Sequence, residues 1–350
     1  MKSNFWRNRR VLVTGHTGFK GSWLSIWLHR LGANVYGYAL EPNSEHGIYT
    51  VTGLTEILHG EVIADIRSSS ILGNALREFK PEVILHLAAQ PIVKASYSDP
   101  VETFSINVMG LLGLLEQARQ VDTIKGIVNV TTDKCYLNDE KGWPFREHEK
   151  LGGRDPYSAS KACAEIISAC YKHSFFGALD IHIATARAGN VIGGGDYAAD
   201  RLVPDFLRCL DNGQELLLRN PEATRPWQHV LEPVSGYIQL AERLLVDGQN
   251  FSEAWNFGPE LDDNVTVQNV VEQMISIRKN GNWRTSKDKH AYEAQSLNLD
   301  SYKAKKYLAW RTRWRLASAL EKTIEWHEAN LSGKDMLDLT MQQIQEYELS

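Results

Sequence analysis

The pattern of apolar and polar residues alternates between two periods over the first half of the chain. Short apolar runs, which are typical of buried strands, lie at residues 10–14, 35–40, 61–65, 83–87, 126–130 and 181–188. Amphipathic stretches between them predict helices at residues 21–31, 68–79 and 101–119 and from residue 156 onward. This alternation favours an α/β fold, with a Rossmann-type doubly wound parallel sheet covered by helices on both faces.

Capping residues support the predicted helix boundaries. Gly32 is placed to end the first helix, because glycine adopts the left-handed conformation without strain. Ser68 and Asp155 stand where an N-cap side chain is needed. Pro156 takes a first helical position, where its missing amide is harmless.

The pattern loosens beyond residue 189. Glycine and proline recur at Gly193, Gly194, Gly195, Pro204, Pro221, Pro226, Pro233, Gly258 and Pro259. Such interruptions are typical of loops and short helices. We therefore predict a Rossmann domain over residues 1–189 and a smaller lobe over 190–350, with some elements returning to the first domain. Apolar residues spaced among acids and glutamines at 331–350 predict an amphipathic helix or hook. We expect it to pack on its own lobe or on a partner subunit.

Composition excludes several classes of protein. The chain has 350 residues, of which 43% are hydrophobic and 23% charged, and its formal net charge is −5. No overall positive field is available for nucleic acid, and no run is apolar enough to predict a membrane span. The basic start runs into a strand without the features of a signal peptide. Cys135, Cys163, Cys170 and Cys209 form no CxxC pair, so we expect reduced thiols and a cytoplasmic location.

A glycine-rich turn joins the first strand to the first helix. Its spacing is Gly15-x-x-Gly18-x-x-Gly21, in the context that a dinucleotide-binding turn requires. Glycines let the backbone approach a pyrophosphate, and the helix N-terminus supplies amides. A simple strand-to-helix turn is the alternative. The residues expected to contact the cofactor are Gly15, Thr17, Gly18, Phe19, Lys20 and Gly21 in the turn, Asp65 and Ile66 after the third strand, and Ala88, Ala89 and Gln90 after the fourth.

The choice between NAD and NADP depends on the end of the second strand. An acid there would bind the ribose 2′-hydroxyl and repel a 2′-phosphate. Residues 38–40 provide none, and Glu41 lies one step beyond. Lys20 and His16 add positive charge for the pyrophosphate or for a 2′-phosphate. We expect NAD, with NADP as the open alternative.

Tyr157 and Lys161 form the motif YxxxK near the start of a predicted helix. Tyr302 and Lys306 match the same motif, but only the first pair follows a strand end that carries a hydroxyl, on Thr132. The spacing puts phenol and ammonium on one helix face, where the ammonium should lower the pKa of Tyr157 and make it a general base. A packing tyrosine and a surface lysine are the alternative.

These motifs resemble those of the extended short-chain dehydrogenase/reductase superfamily over nearly the whole chain. The resemblance includes Asn107 in the fourth helix, which it assigns to the cofactor site. Nucleotide-sugar 4,6-dehydratases of this superfamily carry an acid and a base after the catalytic hydroxyl, whereas most epimerases carry small residues. Here these positions are Asp133 and Lys134, and the lysine departs from the Asp-Glu of the dTDP-glucose branch. The segments TGHTGFKGSWL, TTDK and RAGNVIGGGDYAADRLVPD are most similar to the branch that acts on CDP-D-glucose.

The resemblance implies a mechanism and a substrate site. Tyr157 would take the proton of the sugar 4-hydroxyl, Lys134 the proton at C5, and protonated Asp133 would assist loss of the 6-hydroxyl. Asn190, Arg201 and Arg225 would contact the sugar and the diphosphate. Alternatively, Asp133 and Lys134 form a structural ion pair, and the three substrate residues are solvated. Nothing in the residues themselves selects cytosine.

Two other functions compete with dehydration of CDP-D-glucose. A nucleotide-sugar 4-epimerase needs the tyrosine and the lysine but has no use for Asp133 and Lys134. A non-catalytic dinucleotide sensor would have no reason to keep Thr132, Tyr157 and Lys161 together. The resemblance also implies a homodimer or homotetramer, assembled through residues 101–119 and 156–176, and a role in making dideoxy sugars for surface polysaccharide such as the lipopolysaccharide O-antigen. We expect no metal.

Overall fold

The computed structural model describes residues 4–140, 142–286 and 296–350. In this part of the chain, strands β1 to β12 are Arg10–Thr14, Asn34–Ala39, Gly60–Ile63, Val83–His86, Gly126–Val130, His182–Ala188, Asn190–Ile192, Leu216–Leu218, Thr224–His229, Ala254–Phe257, Asn264–Thr266 and Trp283–Thr285. Helices α1 to α13 are Phe19–Arg30, Ile48–Val51, Ser69–Phe79, Val93–Ser98, Pro100–Phe104, Leu111–Ala118, Pro156–Tyr171, Gly177–Leu179, Leu202–Asp211, Leu231–Asp247, Val267–Arg278, Leu316–Leu331 and Met336–Leu349.

A seven-stranded parallel sheet, in the order β10-β6-β5-β4-β1-β2-β3, forms the centre of the molecule. The predicted doubly wound α/β fold is therefore confirmed, and β1 to β6 begin and end within two residues of the predicted runs. The strand order reverses between β1 and β4, and a crevice for ligands opens at the carboxyl ends of strands on either side of such a point. Strand β10 was missed, because its short run lies far along the chain in a stretch rich in glycine and proline.

Helices cover both faces of this sheet, as a parallel sheet requires. On one face α1 and α10 pack on the strands, and α13 closes over α1. On the other face lie α3, α6 and α7. Trp23, Trp27 and Tyr237 are completely buried on the first face, so several of the tryptophans serve as core residues.

A smaller lobe stands over the carboxyl ends of the strands. Its sheets are β11-β9-β7 and β12-β8, and α9, α11 and α12 enclose a separate apolar core. Two elements from beyond residue 190, β10 and α10, join the large sheet instead. The division at residue 189 stays a prediction. The predicted amphipathic tail forms helix α13. This helix packs on α12 of the smaller lobe and also on α1, which covers the large sheet.

Of the two predicted N-cap residues, Asp155 caps its helix and Ser68 does not. Asp155 caps α7, where its carboxylate accepts from the Ser158 amide at 2.9 Å, and Pro156 follows at the first position. Ser68 precedes α3, but its side chain makes no capping hydrogen bond. Its backbone, with ψ of 73°, departs from the extended conformation that aims a cap at the helix amides. No helix in the described ranges is long and apolar enough to cross a membrane.

Candidate active site

A cavity of about 870 Å³ runs along the carboxyl ends of the strands, from the glycine turn to the smaller lobe. Most of the residues predicted to act together line it: Gly15, Thr17, Gly18, Phe19, Lys20, Gly21, Asp65, Ile66, Ala88, Ala89, Thr132, Lys134, Tyr157, Lys161, Asn190, Arg201 and Arg225. Three predicted residues, Gln90, Asn107 and Asp133, are not part of its wall. The cavity thus brings the predicted cofactor, catalytic and substrate residues into one space.

The glycine turn is shaped by close backbone contacts. Gly15 has φ of +76°, and a Cβ there would lie 2.8 Å from the Ala88 amide nitrogen. A Cβ on Gly21 would lie 2.1 Å from the Gly15 carbonyl oxygen. The turn therefore tolerates only glycine at these two positions. Helix α1 begins beside it with no acid in its first turn, so its amides and partial positive charge fit a pyrophosphate.

An acid lies at the same end of the cavity as the glycine turn, where Thr17 donates to the Leu40 carbonyl at 2.9 Å. Glu41 lies in the wall just after β2, where a carboxylate favours a 2′-hydroxyl over a 2′-phosphate. Asp65 also lines the cavity, but its carboxylate is held by Arg67 at 2.6 Å. The expectation that His16 adds positive charge for a phosphate is wrong. Its side chain is fully buried beneath the turn against Glu61, and burial lowers its pKa.

Gln90 and Asn107 support the cavity from behind. Asn107 lies in a π-helical turn, Ser105–Gly110, that joins α5 to α6. Its side chain accepts from the Gln90 amide at 2.8 Å and donates to the Ser160 hydroxyl at 2.9 Å. It thereby connects the loop after β4 to helix α7. A direct cofactor contact of these two side chains stays a prediction.

The predicted acid and base follow directly from the end of β5. Thr132 donates to Asp133 Oδ1 at 3.0 Å, and Lys134 Nζ lies 3.5 Å from the same oxygen. Asp133 is completely buried, and its Oδ2 has no hydrogen-bond partner in the described part of the chain. This oxygen faces Gly189, since a Cβ there would lie 3.1 Å from it. The ion pair expected as the structural alternative is thus present, but the carboxyl keeps one oxygen unengaged.

Tyr157 and Lys161 lie on one face of α7, as the spacing predicts. Burial raises the pKa of Tyr157 to about 12, and a hydrogen bond with Thr132 opposes the change only in part. The expected lowering of this pKa is therefore wrong for the protein alone, because desolvation of the phenolate outweighs the hydrogen bond with Thr132 and the charge of Arg201. Burial likewise lowers the pKa of Lys161 to about 8. Lys161 donates to the Val130 carbonyl at 3.2 Å.

Lys20 points into the same region of the cavity. Burial and, after it, the charge of Arg201 lower its pKa to about 7, while the charge of Asp133 opposes the change. The charge of Lys20 therefore lies near Asp133, Lys134 and Lys161 as well as near the glycine turn. Arg201 itself is paired with Asp196 at 2.8 Å, and Arg225 is buried and donates to the Thr224 carbonyl at 2.9 Å.

A buried ion pair behind the site was not foreseen. Glu165 and Arg187 are each 3% exposed, and the guanidinium donates twice to the carboxylate, at 2.7 and 2.8 Å. The available signal was spacing, because Glu165 follows Tyr157 and Lys161 at the same four-residue interval. Arg187 lies in a strand and gave no signal.

Comparison with known proteins agrees with this geometry. The family model described as GDP-mannose 4,6 dehydratase matches residues 12–323. A CDP-glucose 4,6-dehydratase of Salmonella typhimurium is 48% identical over 98% of this chain and 97% of its own. A UDP-glucose 4-epimerase of Mycolicibacterium smegmatis is 28% identical over 91% of this chain and 98% of its own. The structure of a dTDP-glucose 4,6-dehydratase of Streptomyces venezuelae, solved with NAD bound, superposes with a TM-score of 0.80 at 24% identity, covering 94% of this chain and 99% of that one.

Proposed function

The chain belongs to the GDP-mannose 4,6-dehydratase family, and we propose that it converts CDP-D-glucose to CDP-4-keto-6-deoxy-D-glucose with NAD as its cofactor. One observation supports this most strongly. An acid and a base, Asp133 and Lys134, follow the hydroxyl of Thr132 at the edge of the cavity that contains Tyr157. The CDP-glucose 4,6-dehydratase that shares 48% of its residues supports the substrate. The enzyme is therefore a hydro-lyase.

The glycine turn, the start of α1 and the loop after β4 would hold NAD, and Glu41 supports NAD over NADP. The chemistry that bound NAD supplies is acceptance of a hydride from C4 of the sugar and its return to C6. Tyr157 removes the proton of the 4-hydroxyl during oxidation. Thr132 hydrogen-bonds the same oxygen after its hydroxyl turns away from Asp133. Lys161 stabilises the phenolate of Tyr157.

Water loss follows from the ketone at C4, which acidifies the proton at C5. Lys134, in its neutral form, removes that proton and returns it to C5 when C6 is reduced. Asp133, protonated on Oδ2, donates to the departing 6-hydroxyl, and the absence of a hydrogen bond to Oδ2 from any described residue supports this assignment. Asn190, Arg201 and Arg225 contact the sugar and the diphosphate, to which guanidinium groups bind well. Residues 190–350, apart from the elements β10 and α10 that return to the large sheet, thus mainly serve the substrate, and residues 1–189 serve the cofactor and the chemistry.

The test is an assay of the purified chain with NAD against CDP-, dTDP-, UDP- and GDP-hexoses. A 4-keto-6-deoxy product, detected by its absorbance in alkali, is expected with CDP-D-glucose. Product only with another nucleotide would keep the mechanism and overturn the CDP substrate. Interconversion at C4 without any keto product would favour a 4-epimerase, and binding of NAD without turnover of any sugar would favour a sensor.

We also propose that the chain forms a homodimer, or a homotetramer built from such dimers. Helix α7 and the segment from α5 to α6 expose apolar side chains to solvent, among them Val101 (78% exposed), Met109 (56%) and Ile166 (58%). Clusters of exposed apolar residues on neighbouring helices mark protein interfaces. I166E removes this one interface and should halve the mass in light scattering, to a monomer from a dimer or to a dimer from a tetramer. V246E, at a residue 53% exposed on α10, is the matched control and should leave the mass unchanged.

The proposed setting is the cytoplasm. The four cysteines are free, as expected in a reducing compartment. A 4-keto-6-deoxy sugar is a precursor from which later steps can remove the 3-hydroxyl. The proposed role is accordingly the supply of dideoxy sugars for surface polysaccharide, including the lipopolysaccharide O-antigen.

A further inference from the structure

Helix α7 presents an acid one turn beyond its catalytic lysine. Tyr157, Lys161 and Glu165 are spaced four residues apart and so share one helix face. Burial lowers the pKa of Lys161 to about 8, and the charge of Glu165 is the strongest influence in the opposite direction. The carboxylate of Glu165 therefore stabilises the ammonium form of Lys161 inside the protein.

The carboxylate is fixed in place by four donors. Arg187 donates to both of its oxygens, while Thr131 donates to Oε1 at 2.5 Å and Thr185 to Oε2 at 2.6 Å. Arg187 is held in turn by the Tyr136 hydroxyl at 2.7 Å, and that hydroxyl donates to Asn256 at 2.8 Å. A side chain with every oxygen engaged in this way has one position and cannot follow the substrate.

The same carboxylate also contacts the strand end that carries the catalytic hydroxyl. Thr131 lies between Val130, whose carbonyl accepts from Lys161, and Thr132. Glu165 thus accepts a hydrogen bond from the residue between Val130 and Thr132, and so holds the segment that carries both the carbonyl partner of Lys161 and the hydroxyl of Thr132. Glu165 is buried and is not among the residues that line the cavity.

We propose that Glu165 is a positioning residue for the dehydration, which keeps Lys161 charged and fixes the strand end at Val130 to Thr132. Arg187 is required because it holds Glu165 as a buried carboxylate. The effect on turnover rests on the proposed function, whereas the effect on Lys161 does not. The two can therefore be tested apart.

The direct test measures the ionisation of Lys161 without turnover. The purified full chain is labelled with a limiting amount of acetic anhydride over a range of pH, and the peptide that contains Lys161 is quantified by mass spectrometry. Only the neutral amine reacts, and Lys161 lines the cavity. E165Q should move the midpoint of labelling to lower pH by about one unit, a tenfold change in the ratio of charged to neutral Lys161. E165D keeps a carboxylate and should return the midpoint most of the way to its wild-type value.

Controls separate charge from packing. T185V removes a hydrogen bond to the same carboxylate but keeps its charge, so the Lys161 midpoint should stay where it is in the wild type. Should E165Q fail to fold because Arg187 is left alone, E165Q/R187Q removes both charges and should shift the midpoint in the same direction. An unchanged midpoint in a folded variant that lacks Glu165 would overturn the proposal.

Turnover supplies the second readout. The alkaline limb of kcat/KM for CDP-D-glucose should move to lower pH in E165Q together with the labelling midpoint, while T185V keeps the wild-type profile. A uniform loss of activity without any movement of the limb would mean that Glu165 is structural only. A wild-type chain that forms no product from any nucleotide sugar would overturn the proposed function, and the labelling result would still decide the role of Glu165.

Discussion

Asp133 and Lys134 are neighbours in sequence, but they meet the cavity differently. Asp133 is completely buried, whereas the Lys134 side chain is 22% exposed and lines the cavity wall. A group that removes a proton from carbon must reach the substrate directly, and Lys134 does so more readily. The two proposed roles should therefore be separable by mutation.

Replacing Lys134 by methionine should separate oxidation from water loss. K134M keeps the length of the side chain but has no base for the C5 proton, so we expect the keto-deoxy product to fall by about 10²-fold or more. Reduced nicotinamide should accumulate in a single turnover, which its absorbance would record. K125M, at a surface lysine paired with Asp180, is the control and should behave as the wild type. Product formation by K134M at the wild-type rate would exclude Lys134 as the base.

Gly189 leaves room for the buried acid. A Cβ at this position would lie 2.5 Å from Pro226 Cγ and 3.1 Å from Asp133 Oδ2. G189A should displace the Asp133 carboxyl and lower kcat by about tenfold or more, because misplaced catalytic groups are inefficient. Calorimetry should show unchanged binding of NAD. G177A is the matched control, since a Cβ there meets nothing closer than the Lys172 carbonyl at 3.9 Å, and wild-type kinetics in G189A would contradict the prediction.

At the scale of a single element, α7 places the catalytic groups by where it begins. Asp155 caps the helix through the Ser158 amide, and Tyr157 lies in the first turn. D155A should lower the free energy of unfolding by about 1 kcal/mol, measured in urea, and should also reduce kcat as that turn frays. D335A removes a cap of the same kind from α13, far from the cavity, and should lower stability while leaving kcat unchanged. Equal effects of the two variants on kcat would mean that the start of α7 does not position Tyr157.

At the scale of the whole molecule, α13 packs back onto two helices that cover the large sheet, α1 and α10. Trp27 of α1 donates to Glu348 at 2.8 Å, and Tyr347 donates to Glu232 of α10 at 2.7 Å. Burial raises the pKa of Glu232 to about 7, although backbone amides of Arg313 and Trp314 also donate to it. A buried carboxyl thus lies where α10, α13 and the segment before α12 meet.

This carboxyl makes stability depend on pH. Its folded pKa lies above the unfolded value of about 4.3, so its contribution is complete below that pH and is lost as pH rises toward 7. E232Q cannot ionise and should match the wild type below about pH 4. At about pH 8 it should be more stable by at least about 1 kcal/mol, measured by urea unfolding. The same difference at both pH values would mean that Glu232 does not titrate in this way.

The parallel core of the fold, and most of the residues that line the cavity, could be predicted from the sequence. The runs of β1 to β6, the glycine turn and the four-residue spacing of Tyr157 and Lys161 reflect local geometry, since strand and helix periods depend only on neighbouring residues. The burial of Tyr157 depends on residues that are distant from it in sequence. Its pKa is raised rather than lowered because the surrounding elements remove water from the phenol.

Contacts between residues that are distant in sequence could be identified only in the folded chain. It paired Glu165 with Arg187, joined Asn107 to Gln90 and Ser160, and added β10 to the edge of the large sheet. Each of these contacts joins elements that are separate in sequence, and each buried polar group needs a partner that sequence spacing does not specify. The chemistry of the site was therefore visible in the sequence, whereas its electrostatics depended on how the chain packs.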